Sequence, residues 1–382
     1  MKAVILTCNT GGGHNSTSAA IKEVFDKNNV ECEIADTLAF LSERTSRFIS
    51  NWHSRIYRYI PKAFTKGYTF AEDHPGMFEN KRSGVYKLLT SGGDKMYDYI
   101  VSNGFDTVIC CHVFASLILS DILKKRHLNV QTCFVSTDYT CSPSTAPDLD
   151  MYFIPDDSIS PEYEAFGIPK ERIYGTGLPV RQKFLAVADK EEAKKELSIT
   201  APRHVLVMCG SMGCGPIQEL TEALLNTVDG DTLITVVCGT NKRLYNQLSK
   251  EFRDEANVDI KGYISNIAEL MDTADLFLTK PGGISVSEAA AKKLPMVFVD
   301  AVAGCEEYNL HYYIERNMAV TADTPEELAR LCGELLSDEA KLDEMKANMY
   351  KYGKEDPAET IFRLLKSESA RRENVSKWSG RL

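Results

Sequence analysis

His14 is the residue of this sequence best suited to act as a general base. It follows three glycines at residues 11–13, which follow a short apolar run at residues 2–8. An imidazole has an ordinary pKa close to neutral pH, so it accepts a proton under physiological conditions. A strand, a glycine turn and a helix beginning near Thr17 would place His14 at the carboxyl edge of a parallel sheet, where such sheets bind ligands. A tight turn with an exposed histidine explains the local pattern equally well.

A second glycine-bearing turn, Cys-Gly-Ser-Met-Gly-Cys-Gly at residues 209–215, follows an apolar run at residues 203–209. It lacks the lysine of the P-loop, which excludes that class of nucleotide-binding site. Its glycine spacing also departs from the dinucleotide fingerprint, which argues against a dehydrogenase. Backbone N–H groups at the start of a helix after Gly213 would still suit a phosphate.

A third turn, Pro-Gly-Gly at residues 281–283, follows a predicted strand at residues 275–279. Ser285 is predicted to cap the next helix, and Glu288 stands three residues later, which is the spacing of a capping box. A carboxylate at this place also suits the vicinal hydroxyls of a ribose, as acidic residues do in nucleotide sites. Both interpretations of Glu288 remain open from the local pattern.

Acidic and amide side chains follow the next apolar run, at residues 295–299. Glu306, Glu307 and Asn309 are predicted to lie on a loop that contains Gly304. Oxygen atoms of these side chains accept hydrogen bonds from hydroxyl groups, so the loop suits a sugar. A solvated acidic loop is the alternative.

The elements that position these residues are short apolar strands alternating with segments of helical period, which is typical of parallel sheets covered by helices. Strands are predicted at residues 2–8, 31–35, 106–111, 131–136, 150–154, 203–209, 232–238, 258–261, 275–279 and 295–299. The strand, glycine turn and helix near residue 1 recur near residue 204, which indicates two similar domains in tandem. The Gly-Thr-Gly-Leu-Pro segment at residues 175–179 is the predicted linker.

The composition of the chain excludes several classes of function and of binding site. The chain of 382 residues has a formal net charge of -10, so it lacks the basic field that non-specific nucleic-acid binding requires. Its 11 cysteines include no C-x-x-C pair, which favours a reduced cytosolic protein over a disulfide framework or a zinc site. No apolar stretch approaches the roughly 18 residues that span a bilayer, and the N-terminal apolar run is too short for a signal peptide.

One segment departs from the acidic balance. Between Arg44 and Tyr68 the chain has six Lys or Arg residues and no Asp or Glu. At helical spacing an apolar face adjoins a basic face, and such a helix is expected to lie on an anionic membrane surface. A core-packed helix with a solvated basic side is the alternative. The predicted membrane or acceptor contacts are Phe48, Trp52, Arg55, Ile56 and Tyr59.

Several motifs taken together resemble glycosyltransferase family 28, in the branch of diacylglycerol glycosyltransferases that includes monogalactosyldiacylglycerol synthases and bacterial processive glucosyltransferases. A more distant resemblance is to the lipid-linked N-acetylglucosaminyltransferase of peptidoglycan synthesis. The motifs cover nearly the whole chain: Gly11-Gly12-Gly13-His14, Cys110-Cys111-His112-Val113-Phe114-Ala115, Ser136-Thr137-Asp138-Tyr139, Gly175-Thr176-Gly177-Leu178-Pro179-Val180-Arg181, Gly210-Ser211-Met212-Gly213, Lys280-Pro281-Gly282-Gly283 and Glu306-Glu307-Tyr308-Asn309.

The resemblance implies an α/β GT-B fold of two Rossmann-like, doubly wound domains that face an interdomain cleft. The expected division is an acceptor-binding, membrane-associating domain at residues 1–178, a UDP-sugar-binding domain at 179–356, and a C-terminal helix and tail at 357–382 that can pack back on the first domain. Tyr308 departs from the family, which often has a glycine there.

The resemblance also assigns roles to residues. His14 would be the catalytic base, and Asp138 would orient it or bind the acceptor hydroxyl; His112 would line the same site, although both residues also suit structural roles at strand ends. Ile264 would read the uracil through its backbone. The full set implied to bind the donor is Gly13, Ser211, Met212, Gly213, Ile264, Gly282, Gly283, Ser285, Glu288, Glu306, Glu307 and Asn309.

The expected reaction is inverting transfer of glucose or galactose from a UDP-sugar to diacylglycerol, giving a β-glycolipid. Helix N-termini after Gly213 and Gly283 would stabilise the departing UDP, so no metal or other cofactor is expected. The D-x-D pattern at residues 148–150 is interpreted as chance. The expected location is cytoplasmic, peripheral on the inner face of the cell membrane. Alternatives are an N-acetylglucosaminyltransferase for a lipid-linked peptidoglycan precursor, a UDP-sugar epimerase and a non-catalytic nucleotide-sugar-binding protein.

Overall fold

The computed structural model describes residues 1–9, 12–42, 70, 73–74, 80–142, 144–300 and 304–379, with side chains up to residue 372. The predicted membrane contacts Phe48, Trp52, Arg55, Ile56 and Tyr59 therefore lie outside the described residues. The chain divides into two compact units. The first unit comprises residues 1–181 and 356–382, and the second unit comprises residues 182–355.

The first unit contains a six-stranded parallel sheet. Its strands are β1 (Ala3–Thr7), β2 (Cys32–Asp36), β3 (Thr107–Cys110), β4 (Gln131–Val135), β5 (Met151–Ile154) and β6 (Ile173–Gly175). The described helices between them are α1 (Gly12–Lys27), α2 (Gly84–Thr90), α3 (Gly93–Ser102), α4 (Val113–Lys125) and α5 (Ser160–Ala165), with short 3-10 turns at Thr37–Phe40, Asp157–Ile159 and Lys170–Arg172.

The strand order in this sheet is β2-β1-β3-β4-β5-β6. Every residue of β1, β3, β4 and β5 is buried, as expected for apolar strands of a parallel sheet with both faces covered. The chain runs from β1 to β2 on one side and continues from β3 on the other. The crevice at the carboxyl ends of β1 and β3 is therefore the topological switch point, where doubly wound sheets bind ligands.

The second unit contains another six-stranded parallel sheet. Its strands are β7 (Arg203–Val207), β8 (Thr232–Val237), β9 (Val258–Lys261), β10 (Leu276–Thr279), β11 (Met296–Phe298) and β12 (Ala319–Thr321). Its helices are α6 (Gln182–Leu185), α7 (Lys190–Glu196), α8 (Ile217–Thr227), α9 (Lys242–Glu251), α10 (Ile267–Thr273), α11 (Gly283–Ala291), α12 (Cys305–Glu315), α13 (Pro325–Ser337) and α14 (Glu339–Tyr352).

This second sheet has the order β12-β11-β10-β7-β8-β9. Its switch point lies between β7 and β10, the first and fourth strands of the unit. The predicted pair of Rossmann-like, doubly wound α/β domains is confirmed. All ten predicted strands form, with ends that differ by one or two residues, whereas β6 and β12 were not predicted because three-residue edge strands are too short to show a periodic pattern.

The last helix of the chain, α15 (Pro357–Ser379), belongs to the first unit. Ala358, Ile361, Phe362 and Leu365 are buried in the apolar core that α1 forms with the sheet. The rings of Phe25 and Phe362 meet edge to face with centroids 5.0 Å apart, an arrangement that aromatic pairs favour. The chain thus enters the second unit, leaves it, and ends on the first.

One predicted helix start was correct and two were wrong. α8 follows Gly213 as predicted and begins at Ile217. α1 begins at Gly12 instead of near Thr17, so His14 lies in its first turn. α12 begins at Cys305, which places Glu306 and Glu307 in a helical turn instead of a loop. The sequence offered a glycine near each start, and a glycine suits a turn and a first helical turn equally well.

The predicted capping box at Ser285 was also wrong. Gly282 is the N-cap of α11, with an extended backbone and no side-chain hydrogen bond. The helix begins at Gly283, so Ser285 already lies inside its first turn and Glu288 lies further along the buried face. Glu288 therefore does not cap the helix, and its side chain is buried.

Each of the 11 cysteines is a free thiol, and ten of them are buried. Among the helices that the structure describes, none combines the length and the apolar character that crossing a bilayer requires.

Candidate active site

His14 lies at the switch point of the first sheet, in the first turn of the helix that follows β1. Its Nδ1 is 2.9 Å from the carbonyl oxygen of Cys111, the residue after β3. A carbonyl only accepts, so Nδ1 carries the proton and the lone pair of the neutral ring is on Nε2. The Cys111 N–H donates in turn to the carbonyl of Leu6, which extends the β1–β3 pairing and fixes the accepting carbonyl in place.

The environment of His14 favours its neutral form. Burial lowers the pKa of His14 from its ordinary value, although the negative charge of Asp138 and the hydrogen bond to Cys111 oppose that shift. A group that charges on taking up a proton loses hydration when it is buried, which explains the direction. The ring is therefore neutral at pH 7, which is the state that a general base requires.

His112 lies directly beside this base. The ring centroids of His14 and His112 are 4.6 Å apart, with the planes inclined at 55°. His112 is the N-cap of α4, and its Nδ1 accepts a hydrogen bond from the backbone N–H of Phe114 at 3.1 Å. The neutral ring therefore carries its proton on Nε2. The structure brings together the two histidines that the sequence proposed and also gives His112 a structural role.

Asp138 lies on the loop that follows β4 and is partly buried. The Thr137 hydroxyl donates to its carboxylate at 3.1 Å, and the Ser136 hydroxyl donates to its backbone carbonyl at 2.8 Å. Glu162 on α5 holds the same loop, since its carboxylate accepts from the Thr140 hydroxyl, at 2.9 Å. The effect of Asp138 on His14 is electrostatic, because Nδ1 of His14 donates to Cys111.

Both carboxylates of the D-x-D pattern at residues 148–150 form contacts within the fold. Asp148 accepts from Ser120 and pairs with Lys124, both at 2.6 Å. Asp150 accepts from the backbone N–H of Thr132 at 2.8 Å. Within the described ranges, no group of three or more metal-ligating side chains is present.

The second unit places a glycine loop at its own switch point. Residues 208–216 follow β7, and Gly213 has a left-handed φ of 57°. A side chain there would clash with the carbonyl oxygen of Cys238. Asn241 donates through Nδ2 to the carbonyl of Gly213 at 2.9 Å, and the N–H of Thr240 donates to the carbonyl of Ser211 at 2.9 Å. The loop after β8 therefore holds Ser211, Met212 and Gly213 in one conformation.

A second loop, after β10, adjoins the first at the same edge of the sheet. The Thr279 hydroxyl donates to the carbonyl of Met208 at 2.8 Å, which joins the two loops across the switch point. Gly282 has open space around its Cα, and α11 begins at the next residue. The loop before α8 and the start of α11 thus lie together at the edge where doubly wound sheets bind ligands.

The predicted donor carboxylates divide between buried and exposed positions. Glu288 on α11 and Glu306 on α12 are buried, whereas Glu307 is exposed. Asn309 is wholly buried, and its Nδ2 donates to the carbonyl of Pro281 at 2.9 Å. Asn309 therefore positions the loop after β10, a role that its spacing in the sequence did not indicate.

Ile264 lies on the loop that follows β9, at the same carboxyl edge of the second sheet. It is partly buried, and its neighbour Tyr263 is exposed. Lys183 donates to the carbonyl of Ser265 at 2.7 Å and anchors this loop. The structure thus brings the predicted donor residues of the second unit to one edge of one sheet.

Sequence reasoning missed a buried cation at this edge. Lys280, the residue after β10, is 5% exposed, and its Nζ is 3.1 Å from the carboxylate of Asp300. Burial raises the pKa of the Cys209 thiol to about 12, and the charge of Lys280 opposes that shift. The lysine thus lies close to the glycine loop. The available signal was a lysine directly after a buried strand that ends in a glycine turn.

Comparisons with known proteins agree with this arrangement. Residues 14–180 match the family described as monogalactosyldiacylglycerol (MGDG) synthase, and residues 189–356 match the family described as glycosyl transferases group 1. A processive diacylglycerol beta-glucosyltransferase of Staphylococcus carnosus is 26% identical over 91% of this chain and 88% of its own length.

Solved structures show the same fold at low sequence identity. The crystal structure of Acinetobacter baumannii MurG has a TM-score of 0.63 at 14% identity and covers 96% of this chain and 100% of its own. A complex of S. aureus MnaA with UDP has a TM-score of 0.62 at 14% identity and covers 95% of each chain. The resemblance stated from the motifs is confirmed. The chain is a glycosyltransferase with a GT-B fold, in which residues 14–180 match the MGDG synthase family and residues 189–356 match the glycosyl transferases group 1 family.

Proposed function

We propose that this enzyme transfers a hexose, glucose or galactose, from a UDP-sugar to diacylglycerol with inversion at the anomeric carbon. The observation that carries the proposal is the hydrogen bond from Nδ1 of His14 to the Cys111 carbonyl, which leaves Nε2 as a base. The matched families and the name of the Staphylococcus carnosus relative support the acceptor and the class of donor.

In this mechanism His14 accepts the proton of the acceptor hydroxyl. The hydroxyl oxygen attacks the anomeric carbon on the face opposite to UDP, so a single displacement converts an α-linked donor into a β-linked product. General-base catalysis of this kind contributes about 100- to 10,000-fold to the rate. Asp138 keeps negative charge near the imidazolium that forms, and His112 lies against the ring of the base.

The departing UDP is stabilised by the second unit. The loop that contains Ser211, Met212 and Gly213, and the first turn of α11, present positive potential to the diphosphate through backbone N–H groups. Glu288 accepts hydrogen bonds from the ribose, the backbone of Ile264 reads the uracil, and Glu306 and Glu307 face the donor sugar. We propose no divalent metal in the reaction, because these donors supply the electrostatic stabilisation.

The acceptor is a lipid, so the enzyme must work at a surface. We propose that it associates peripherally with the cytoplasmic face of an anionic membrane through the basic, aromatic segment of its sequence. The six basic residues between Arg44 and Tyr68, with no acidic residue among them, support this in a chain whose formal net charge is -10. No nucleic-acid partner is proposed.

The test is UDP release by the purified protein in the presence of EDTA. UDP-glucose, UDP-galactose and UDP-N-acetylglucosamine are supplied in turn, with anionic vesicles that contain or lack diacylglycerol. We expect diacylglycerol-dependent release with UDP-glucose or UDP-galactose, and a β-linked glycolipid by nuclear magnetic resonance. Diacylglycerol-independent conversion of UDP-N-acetylglucosamine would favour an epimerase. UDP binding without release from any donor would favour a non-catalytic sugar-nucleotide-binding protein, or a lipid-linked peptidoglycan precursor as the acceptor.

A further inference from the structure

The ion pair between Lys280 and Asp300 is asymmetric in its exposure. The Lys280 side chain is 6% exposed, whereas the Asp300 side chain is 51% exposed. Burial of an ammonium group is unfavourable unless an anion pairs with it. Lys280 therefore needs a negative partner, whether that partner is Asp300 or another anion. Because half of its side chain is exposed, Asp300 can be solvated by water when it leaves the pair.

The lysine side chain lies next to Gly215 at the end of the glycine loop. A Cβ at Gly215 would lie 3.4 Å from Cε of Lys280, and the lysine charge acts on Cys209 at the other end of the loop. The ammonium group at the end of this side chain therefore lies near the glycine loop. The glycine loop has no lysine at the position where a P-loop has one. Lys280, which follows the neighbouring strand β10, places a cation near this loop instead.

Asp300 is held in an unusual backbone conformation. It follows β11 with φ of 47°, a left-handed conformation that only Asn, Asp and Gly adopt at low cost. Its carboxylate thus faces Lys280 from the strand next to β10, while remaining accessible to water. Glu306 lies close enough to act on Cys209 as well, so a second carboxylate lies near the glycine loop.

We propose that Lys280 is the cation that binds the diphosphate of the donor, and that Asp300 is an exchangeable counter-ion which the diphosphate displaces. This rests on the proposed function and names a catalytic residue in it. When the bond from the anomeric carbon to the β-phosphate oxygen breaks, its electron pair stays on that oxygen, and Lys280 stabilises the charge that develops there. The new bond forms to the acceptor oxygen, whose proton passes to His14. When UDP leaves, Asp300 pairs with Lys280 again.

The experiment measures binding of UDP, UMP and uridine by calorimetry to the full chain and to Lys280→Met, Asp300→Asn and the double variant. For Lys280→Met we expect UDP affinity to fall about 10- to 100-fold, the value of a charge-assisted hydrogen bond, with uridine affinity unchanged. For Asp300→Asn we expect UDP affinity to rise about two- to fivefold, because the competing carboxylate is gone. Asparagine also tolerates the left-handed backbone.

The double variant decides whether the two residues act together. If Asp300 acts through Lys280, the gain from Asp300→Asn disappears in the Lys280→Met background. Lys250→Met, which removes an exposed lysine at the end of α9, is the matched control and should bind UDP like the unmodified protein.

Two results would overturn the inference. One is equal loss of uridine and UDP affinity in Lys280→Met, and the other is unchanged or weaker UDP binding in Asp300→Asn. If Lys280→Met fails to fold, the Asp300→Asn variant still tests the displacement of the carboxylate. A failure of UDP binding in the unmodified protein would instead contradict the proposed function itself.

Discussion

The imidazole of His14 and the backbone carbonyl of Cys111 lie 2.9 Å apart across the switch point of the first sheet. The contact joins the helix after β1 to the end of β3, so the tautomer of His14 is set by the pairing of two strands. A neutral ring with its proton on Nδ1 presents Nε2 as the base. The consequences for activity can be tested directly.

Replacing His14 by alanine should abolish most turnover and leave donor binding intact. Removal of a general base costs about 100- to 10,000-fold in rate, whereas the donor residues that we propose lie on the second unit. UDP release with diacylglycerol vesicles measures the first effect, and calorimetry with UDP measures the second. His127→Ala, which removes an exposed histidine of the same unit, is the control. Comparable losses of turnover and UDP affinity would argue against the assigned role.

The acid limb of the pH profile should report the titration of His14. Burial lowers the pKa of this residue from its ordinary value, so the base stays deprotonated at neutral pH and turnover is lost at a lower pH than for an ordinary histidine. The charge of Asp138 raises the pKa against this trend. Asp138→Asn should therefore move the limb to lower pH, measured as kcat/KM with saturating diacylglycerol. A limb that moved to higher pH would contradict the electrostatic role of Asp138.

The cap of α4 predicts different effects of two substitutions at His112. His112→Ala removes the acceptor for the Phe114 N–H, which should lower the free energy of unfolding by about 1 kcal/mol. Asparagine is a favourable N-cap residue, so His112→Asn should restore most of that loss. Denaturant unfolding of the two variants decides the matter. Equal stability of both variants would show that the cap contributes nothing.

Much of the fold could be predicted from the sequence because buried parallel strands are continuous apolar runs. The recurrence of a strand, a glycine turn and a helix at residues 2–17 and after residue 203 revealed two domains. The partner of His14 was not visible in the sequence, since it depends on which strand lies next to β1. The pair of Lys280 and Asp300 was hidden for the same reason, because it joins the ends of two neighbouring strands.

The glycines show the limit of structure prediction from the local sequence. A glycine beside an apolar run predicted a turn correctly at Gly213, where the left-handed backbone and the Cys238 carbonyl leave no room for a side chain. It failed at Gly12 and Gly283, which are the first residues of α1 and α11. Only the packing of each helix on its sheet distinguishes the two cases.

The packing around Gly213 gives a further prediction. Gly213→Ala forces a Cβ against the Cys238 carbonyl in a left-handed conformation, at a cost of about 1–3 kcal/mol in the free energy of unfolding. The loop must shift, so UDP affinity should fall as well. Gly230→Ala is the matched control, because nothing lies within 4 Å of a Cβ there. Calorimetry and denaturant unfolding of both variants are the measurements, and an unchanged UDP affinity in Gly213→Ala would remove this loop from the donor site.

The buried carboxylate of Glu288 should distinguish ribose from deoxyribose. If it accepts a hydrogen bond from the ribose, the unmodified protein binds UDP about tenfold more tightly than 2′-deoxy-UDP, in keeping with a hydrogen bond to a charged group. Glu288→Ala should bind both nucleotides equally and UDP about tenfold more weakly. Glu326→Ala, at an exposed position in the first turn of α13, should keep the preference. The comparison uses the ratio of two affinities within each variant, so a general loss of stability in Glu288→Ala does not imitate the effect. A preference for UDP that survived in Glu288→Ala would assign the ribose contact to another residue.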